Sequence, residues 1–445
     1  MSIILSFFPE FGPAAHAFWL FFSNGGFLLF VILAVVLLKR WYMNTINGNW
    51  KANQKWVFLS IKVPRENLTS TLAVEQIYSQ LHAAHRSMTM AEKYIEGRVQ
   101  LWYSFEIVSL GGKISFIVRS PLKFRDTVEA AFYAQYPDAE ISEVADYLEN
   151  FHYDPEDSEY EIFGTEMKMR ESDVFPIKTY KDLEHTSAEV KIIDPIAPLL
   201  EALSKIDTDE FLAVQILAQP LGDPEWQDKA QKKAKVLLGE EVHHGEGFIH
   251  ELKKFIGLFS PIKILLMFVG AGGGKGSGHE KQQRTNKNDL LSMTEVEKEQ
   301  VNGIQAKATK PGYMSKIRFL YMAPREKYDR SRRAAVVGAF RTLSKTHGNS
   351  LKPDSKEVAT RVKYRISKTL EQPYMSWLET RRKHHFFEGW KLRNYYIGLP
   401  QYILNTEELA TLFHLPITAP TSAADVSRIE SKKSQAPVNL PIGDF

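Results

Sequence analysis

From Ala14 to Leu38 the chain carries no charged residue, and Lys39-Arg40 closes the run. A bilayer-spanning helix needs about 20 mostly apolar residues, and this stretch supplies them. The polar insert Ser23-Asn24-Gly25-Gly26 interrupts it, but glycine is tolerated where membrane helices approach closely. The pattern predicts one transmembrane helix over 14–38. Residues 1–13 hold Glu10 and no Lys or Arg, so the basic flank at Lys39-Arg40 would put the N-terminus outside and the body in the cytoplasm. Trp19, Lys39, Arg40, Trp41 and Tyr42 are the candidate membrane-interface residues. A cleaved signal peptide would need a basic leading segment, which is lacking here. A second apolar stretch, Phe255 to Val269, contains Pro261 and Lys263 and is too short to span. It reads either as a buried helix or as one lying on a bilayer.

Behind residue 55 the hydrophobic period changes repeatedly between helix and strand. Trp56 to Val63 is β-rich and stops at Pro64. Val74, Ile77, Tyr78, Leu81 and Met88 have helical spacing, with Ser70 as cap. Val99, Leu101, Tyr103, Phe105 and Ile107 alternate as in a strand, Gly111-Gly112 makes a turn, and Ile114 to Val118 returns. Phe124, Val128, Ala131, Phe132 and Tyr136 line one helix face, and Ala139 to Val144 is a last short strand. The order is β-α-β-β-α-β, the ferredoxin-like arrangement. It recurs with strands at 160–178, 211–219 and 314–322 and helices at 196–206 and 325–345, a degenerate repeat whose hairpin is interrupted by an excursion. The expected fold class is therefore α+β: a single N-terminal transmembrane helix, a linker over 39–55, one ferredoxin-like unit over 56–150, and a second over 158–220 plus 313–416. Residues 221–312 form the insertion, with a Gly-rich flexible loop over 270–288, and 417–445 read as a disordered tail.

Charge is distributed in blocks. Residues 138–210 hold 21 Asp/Glu against 6 Lys/Arg, and residues 302–400 hold 22 Lys/Arg against 7 Asp/Glu. The two blocks can neutralise each other, or the basic one can face nucleic acid, anionic lipid or an acidic protein. Arg325, Arg330, Arg332, Arg333 and Arg341 lie on or beside one predicted helix. Arg381, Arg382 and Lys383 are interleaved with Trp377, Phe386, Phe387 and Trp390. Cations among aromatics suit single-stranded nucleic acid, a membrane-facing surface or a protein interface, and for an anchored chain the protein interface ranks first, lipid second and nucleic acid third.

Recognisable catalytic chemistry is missing. With no cysteine there is no thiolate site. In Gly270–Ser277 the position six before Lys275 is Val269, and the residue after it is Gly276. A phosphate loop needs glycine and Ser/Thr there. His243, His244, Glu246 and His250 do not match a zinc spacing. No Gly-x-Ser-x-Gly elbow occurs. No cofactor, metal ligand or small-molecule substrate is expected, and the chain reads as a non-enzyme.

Three strings, Tyr103–Phe116, Ala134–Ile141 and Leu404–Pro416, resemble uncharacterised membrane-anchored proteins of small-genome bacteria. The likeness runs over about 50–416. The last string is also similar to the segment ahead of the motor domain in type IV secretion and conjugation ATPases. Asn405 and Glu408 form a capping box, and Leu409, Leu412 and Phe413 an apolar face, a candidate docking helix. Those ATPases continue into a motor, which this sequence lacks. The resemblance implies a non-enzymatic scaffold of a secretion-like machine at the bacterial inner membrane, in contact with the bilayer and recruiting a partner ATPase, with homo-oligomers possible. A membrane-tethered nucleic-acid-binding module built on 302–400 is the alternative.

Overall fold

The structure, a computed structural model, describes residues 19–22, 24, 27–64, 67, 69–149, 151, 153–156, 158–184, 194–222, 225–238, 294–362, 368–416 and 425–426. The Phe255–Val269 stretch, the histidines at 243–250 and the Gly270–Ser277 segment lie outside these residues.

One sheet, antiparallel except for the short strand Asp425–Val426, organises the described residues. Its strands are β1 (Trp56–Lys62), β2 (Tyr103–Leu110), β3 (Lys113–Pro121), β4 (Glu140–Glu143), β5 (Tyr160–Met169), β6 (Phe211–Pro220), β7 (Gly312–Pro324) and β8 (Leu351–Pro353). They lie in the order β4-β1-β3-β2-β6-β7-β5-β8. Short strands β9 (Tyr402–Asn405) and β10 (Asp425–Val426) pair with the starts of β7 and β3. Each half of this order is a β-α-β-β-α-β unit. The halves join where β2 pairs with β6, from Tyr103 opposite Ala218 to Leu110 opposite Phe211. Their neighbouring strand edges are thereby paired, which leaves no open ladder in the centre.

Alternation along the strands sorts side chains to two faces. Tyr103, Phe105 and Ile107 of β2, Val214 and Ile216 of β6, and Ile317 and Phe319 of β7 meet the helices Thr71–Leu81 (α1), Arg125–Gln135 (α2), Ala197–Ser204 (α3), Arg330–Arg341 (α4) and Thr406–Leu412 (α5) in the main core. Val108, Ala213, Leu320 and Met322 point the other way, onto Phe386, Phe387 and Trp390 of the helix Lys368–Lys391 (α6). Gly164 of β5 permits that approach, because a Cβ there would sit 2.1 Å from the Phe386 ring. The β2–β3 turn uses Gly111 and Gly112 at φ 57° and 83°, a region open to glycine at little cost. In the excursion, helices Glu225–Leu237 and Glu295–Ala308 bury Trp226, Ala230, Val301 and Ile304 in a separate small core.

The transmembrane helix expected over 14–38 is not found among the described residues, and 14–18, 23, 25 and 26 lie outside them. Trp19–Phe21 is helical, the turn widens at Phe22 and Asn24, and a helix then runs from Phe27 to Ala52. Its apolar part, Phe27 to Leu38, is only about 18 Å long at 1.5 Å per residue, against a hydrocarbon core of about 30 Å. The helix continues unbroken through Lys39-Arg40 into polar residues. Among the described residues no helix is long and apolar enough to cross a membrane. Two candidate interface residues make contacts within the protein instead. Tyr42 Oη donates to the Tyr94 carbonyl at 3.0 Å, and the Lys39 ammonium lies 5.7 Å from the Tyr94 ring centre. Trp19, Arg40 and Trp41 are exposed.

Candidate anion-binding cleft

Helix α4 starts at Asp329, whose carboxylate accepts from the Ser331 amide at 2.8 Å. Val336, Ala339 and Phe340 are buried against the sheet. The spacing of a helix therefore places Arg330, Arg333, Val337 and Arg341 on another face. That face forms one wall of a cleft of about 540 Å³. The opposite wall is the segment Pro353–Arg361, and Phe163 of β5 contributes an aromatic surface on which the Arg333 guanidinium stacks at 4.3 Å.

The second wall is held rigidly. Thr360 donates its amide to the Gly164 carbonyl at 3.0 Å, and its hydroxyl accepts from the Gly164 amide at 3.0 Å. The buried Asp354 carboxylate takes Lys168 Nζ at 2.7 Å and the amides of Glu357 and Val358 at 2.7 and 2.9 Å. Burial alone would raise its pKa. The Lys168 ammonium and the two amides outweigh burial and hold the carboxyl well below the usual range. Asp354 is thus saturated from behind and presents no free charge to the cleft.

Four guanidiniums, of Arg330, Arg333, Arg341 and Arg361, converge here, and none forms an ion pair with a described residue. Burial pushes the nearby Tyr328 phenol up to about 12, although Arg333, Arg361 and Arg330 pull it the other way. Like charges gathered with no ion pair to a described residue cost stability, and an anion placed among them would relieve that cost.

Elsewhere part of the basic block is neutralised internally, while exposed Lys352, Lys356 and Arg381 form no ion pair with a described residue. Arg332 faces Asp207 at 3.7 Å and Glu210 at 3.5 Å, Lys383 meets Glu161 at 2.6 Å, and Lys345 meets Asp182 at 2.8 Å. Arg325 and Arg382 donate to main-chain carbonyls of Pro155 and of Ala359 and Lys356. Trp390 is fully buried and is not part of any interaction surface. Arg381 is exposed beside Trp377. The candidate docking helix fares like Trp390. Leu409, Leu412 and Phe413 are buried in the main core, where Phe413 packs on Phe105 and Phe116. Its capping box is present, with Asn405 accepting from Glu408 N, but the helix offers no free apolar face.

A buried polar row crosses the other side of the sheet. Glu106, Gln215, Arg318 and Glu166 stand in cross-strand register on β2, β6, β7 and β5. Gln215 Nε2 donates to Glu106 at 2.9 Å, and Arg318 Nε donates to Gln215 Oε1 at 2.7 Å. Arg393, at φ 50°, reaches Glu106 at 3.1 Å and Asp146 at 2.8 Å. At the far end Gly398, at φ 100°, lets the chain pass so close that a Cβ would fall 2.2 Å from the Glu166 carboxylate. This row ties the 391–401 connection to both halves of the sheet, and its role is architectural.

Sequence reasoning singled out Arg330, Arg333 and Arg341 but missed Arg361 and Phe163. The only sequence signal for Arg361 is its place in the basic block, because the irregular segment 354–361 shows no periodicity.

The chain belongs to a family described as a domain of unknown function (DUF8128), whose model matches residues 49–416. No curated protein matches the sequence significantly. The family match brings no activity, and nothing in it links the chain to secretion ATPases.

Proposed function

We propose that the protein is a non-catalytic nucleic-acid-binding module that holds a phosphate backbone in the arginine cleft. The observation that carries this reading is that Arg330, Arg333, Arg341 and Arg361 line one cleft and none of them pairs with a described carboxylate. Arginine matches phosphate with a planar fork of donors, and phosphate contacts dominate polynucleotide affinity. Four such contacts give a slope of log affinity against log salt of about −2.8 for a single strand and −3.6 for a duplex. Affinity for a single strand should then fall about 50-fold between 50 and 200 mM salt. Fluorescence anisotropy with labelled oligonucleotides tests this, with anionic lipid vesicles as competitor. The Arg333→Ala/Arg341→Ala pair should flatten the single-strand slope by about 1.4. No binding at 50 mM salt, a slope untouched by the pair, or displacement by vesicles at equal phosphate would remove the reading.

A second reading, a scaffold that recruits a partner protein such as a secretion-type ATPase, is favoured by one observation. Leu28, Ile32, Leu33, Leu37 and Leu38 lie exposed along the helix that begins at Phe27, an apolar surface of the kind that marks contact sites. Recovery of a stoichiometric partner with the tagged chain, lost on replacing Leu33 and Leu37 by serine, would favour it.

A further inference from the structure

Helix α6 carries a second feature that the cleft alone does not use. Tyr374 and Trp377 are 59% and 54% exposed, although their neighbours further along the helix are buried against the sheet. Their rings stack at 6.0 Å with an interplanar angle of 30°. The Arg381 guanidinium lies 5.5 Å from the Trp377 ring. Positions 374, 377 and 381 follow one helix face, so tyrosine, tryptophan and arginine form a continuous stack about 10 Å long. Neither ring belongs to any hydrophobic core of the described residues.

This stack is joined to the arginine cleft by one short segment. The Val362 amide donates to Glu379 Oε1 at 2.8 Å, and Arg382 donates to the carbonyls of Ala359 at 3.3 Å and Lys356 at 2.7 Å. Arg361 stands on that segment and lines the cleft. The stack and the cleft thus stand on elements fixed to each other by this segment, α4 on one face of the sheet and α6 on the other.

We infer that Tyr374, Trp377 and Arg381 form a base-stacking platform, which makes an unpaired polynucleotide strand the ligand of this surface. The inference rests on the phosphate-binding reading of the cleft. In a duplex the base faces are covered by their neighbours, so the platform has nothing to stack on. In a single strand the cleft holds the backbone and the exposed rings take the bases. The charge of the cleft selects this occupant over an apolar protein segment, which would leave four guanidiniums beside it uncompensated.

The experiment compares labelled single-stranded DNA, single-stranded RNA and duplex DNA of equal length, at one salt concentration, on the full chain. The single strands should bind at least tenfold more tightly than the duplex. Tyr374→Ala/Trp377→Ala should lose about tenfold or more for single strands, keep its salt slope and leave duplex binding unchanged. Trp377→Phe should retain most of the affinity, because the ring face remains. Both aromatic variants change exposed residues, and a thermal melt equal to the parent verifies the fold. Duplex binding as tight as single-strand binding, or an unaffected double variant, would overturn the platform while leaving the phosphate-binding reading intact. Absence of binding to all three ligands would overturn both.

Discussion

Replacing Arg393 by methionine probes how the two halves of the sheet are held together. Arg393 is 1% exposed, stacks on Phe58 and Tyr147, and pairs with the fully buried Glu106. Removing it leaves Glu106 with Ser104 at 2.6 Å, Tyr147 at 2.8 Å and Gln215 at 2.9 Å, hydrogen-bond donors without charge. Breaking a buried pair by deleting one partner costs about 3–5 kcal/mol, a fifth or more of an ordinary domain's stability of about 5–15 kcal/mol. The sign of the pH dependence should also change. Burial alone would raise the Glu106 pKa, but Arg393, with Ser104 and Tyr147, brings it below its ordinary value. In the parent its contribution is present above about pH 4.3 and is lost as pH falls below that. Without Arg393, burial is opposed only by neutral donors and by Arg119 and Arg318 beyond ion-pair distance, and the folded pKa should rise above the unfolded one. The variant then loses stability as pH rises through the neutral range, by at most about 1.4 kcal/mol per pH unit. Urea melts at pH 5, 6, 7 and 8 read both effects. Glu106→Gln in the same background should recover part of the loss, because it removes the orphaned charge and keeps hydrogen-bonding capacity. A loss below 1 kcal/mol, or a pH trend parallel to the parent, would refute this account.

Three further outcomes follow from local geometry. Gly338 lines the cleft, and a Cβ there would meet nothing within 4 Å. Gly338→Glu should therefore keep or raise stability by up to about 1 kcal/mol through helix propensity, while its carboxylate abolishes oligonucleotide binding in the anisotropy assay. Gly398→Ala adds a left-handed penalty of about 1–2 kcal/mol to a clash with Glu166, so a urea melt should show a loss well above that figure. Glu408→Ala removes a buried ion pair with Lys307 at 2.9 Å and a helix cap together, and should cost about 3–5 kcal/mol by the same measurement.

Local elements were legible where one periodicity ran unbroken. Tyr103, Phe105 and Ile107 alternate against polar neighbours, and Gly111-Gly112 fixes the turn, so that hairpin could be read directly. Residues 211–219 and 314–322 also pair as antiparallel strands, although residues 221–311 separate them. The junction of β2 with β6 left no local trace, because edge pairing depends on two strands distant in sequence. The apolar N-terminal run misled for a definite reason. Hydropathy counted over 14–38 takes no account of where the described helix runs, and the apolar part of that helix from Phe27 to Leu38 is too short to span. Leu409, Leu412 and Phe413 misled differently, since an amphipathic helix has the same spacing whether its apolar face meets a partner or its own core.

The charge blocks gain their meaning from the strand order. Because β5, from the acidic stretch, lies beside β7, from the basic one, Glu166 faces Arg318 across the ladder. Around them Lys327 finds Asp209, Lys345 finds Asp182, and Lys383 finds Glu161. Much of the positive charge is thus absorbed by the fold, and basic composition by itself is no argument for a ligand. What argues for one is the remainder. Arg330, Arg333, Arg341 and Arg361 pair with no described carboxylate, and the one carboxylate lining their cleft, Asp354, is already bound to Lys168. Surface repulsion of that kind is retained at a cost to stability, and a phosphate chain in the cleft would relieve it. The unliganded protein should therefore melt at a higher temperature when inorganic phosphate or sulfate is added, and Arg333→Ala/Arg341→Ala should remove most of that gain. A melting temperature equally raised in the double variant would show that the ions act by general exclusion from the surface and not in the cleft.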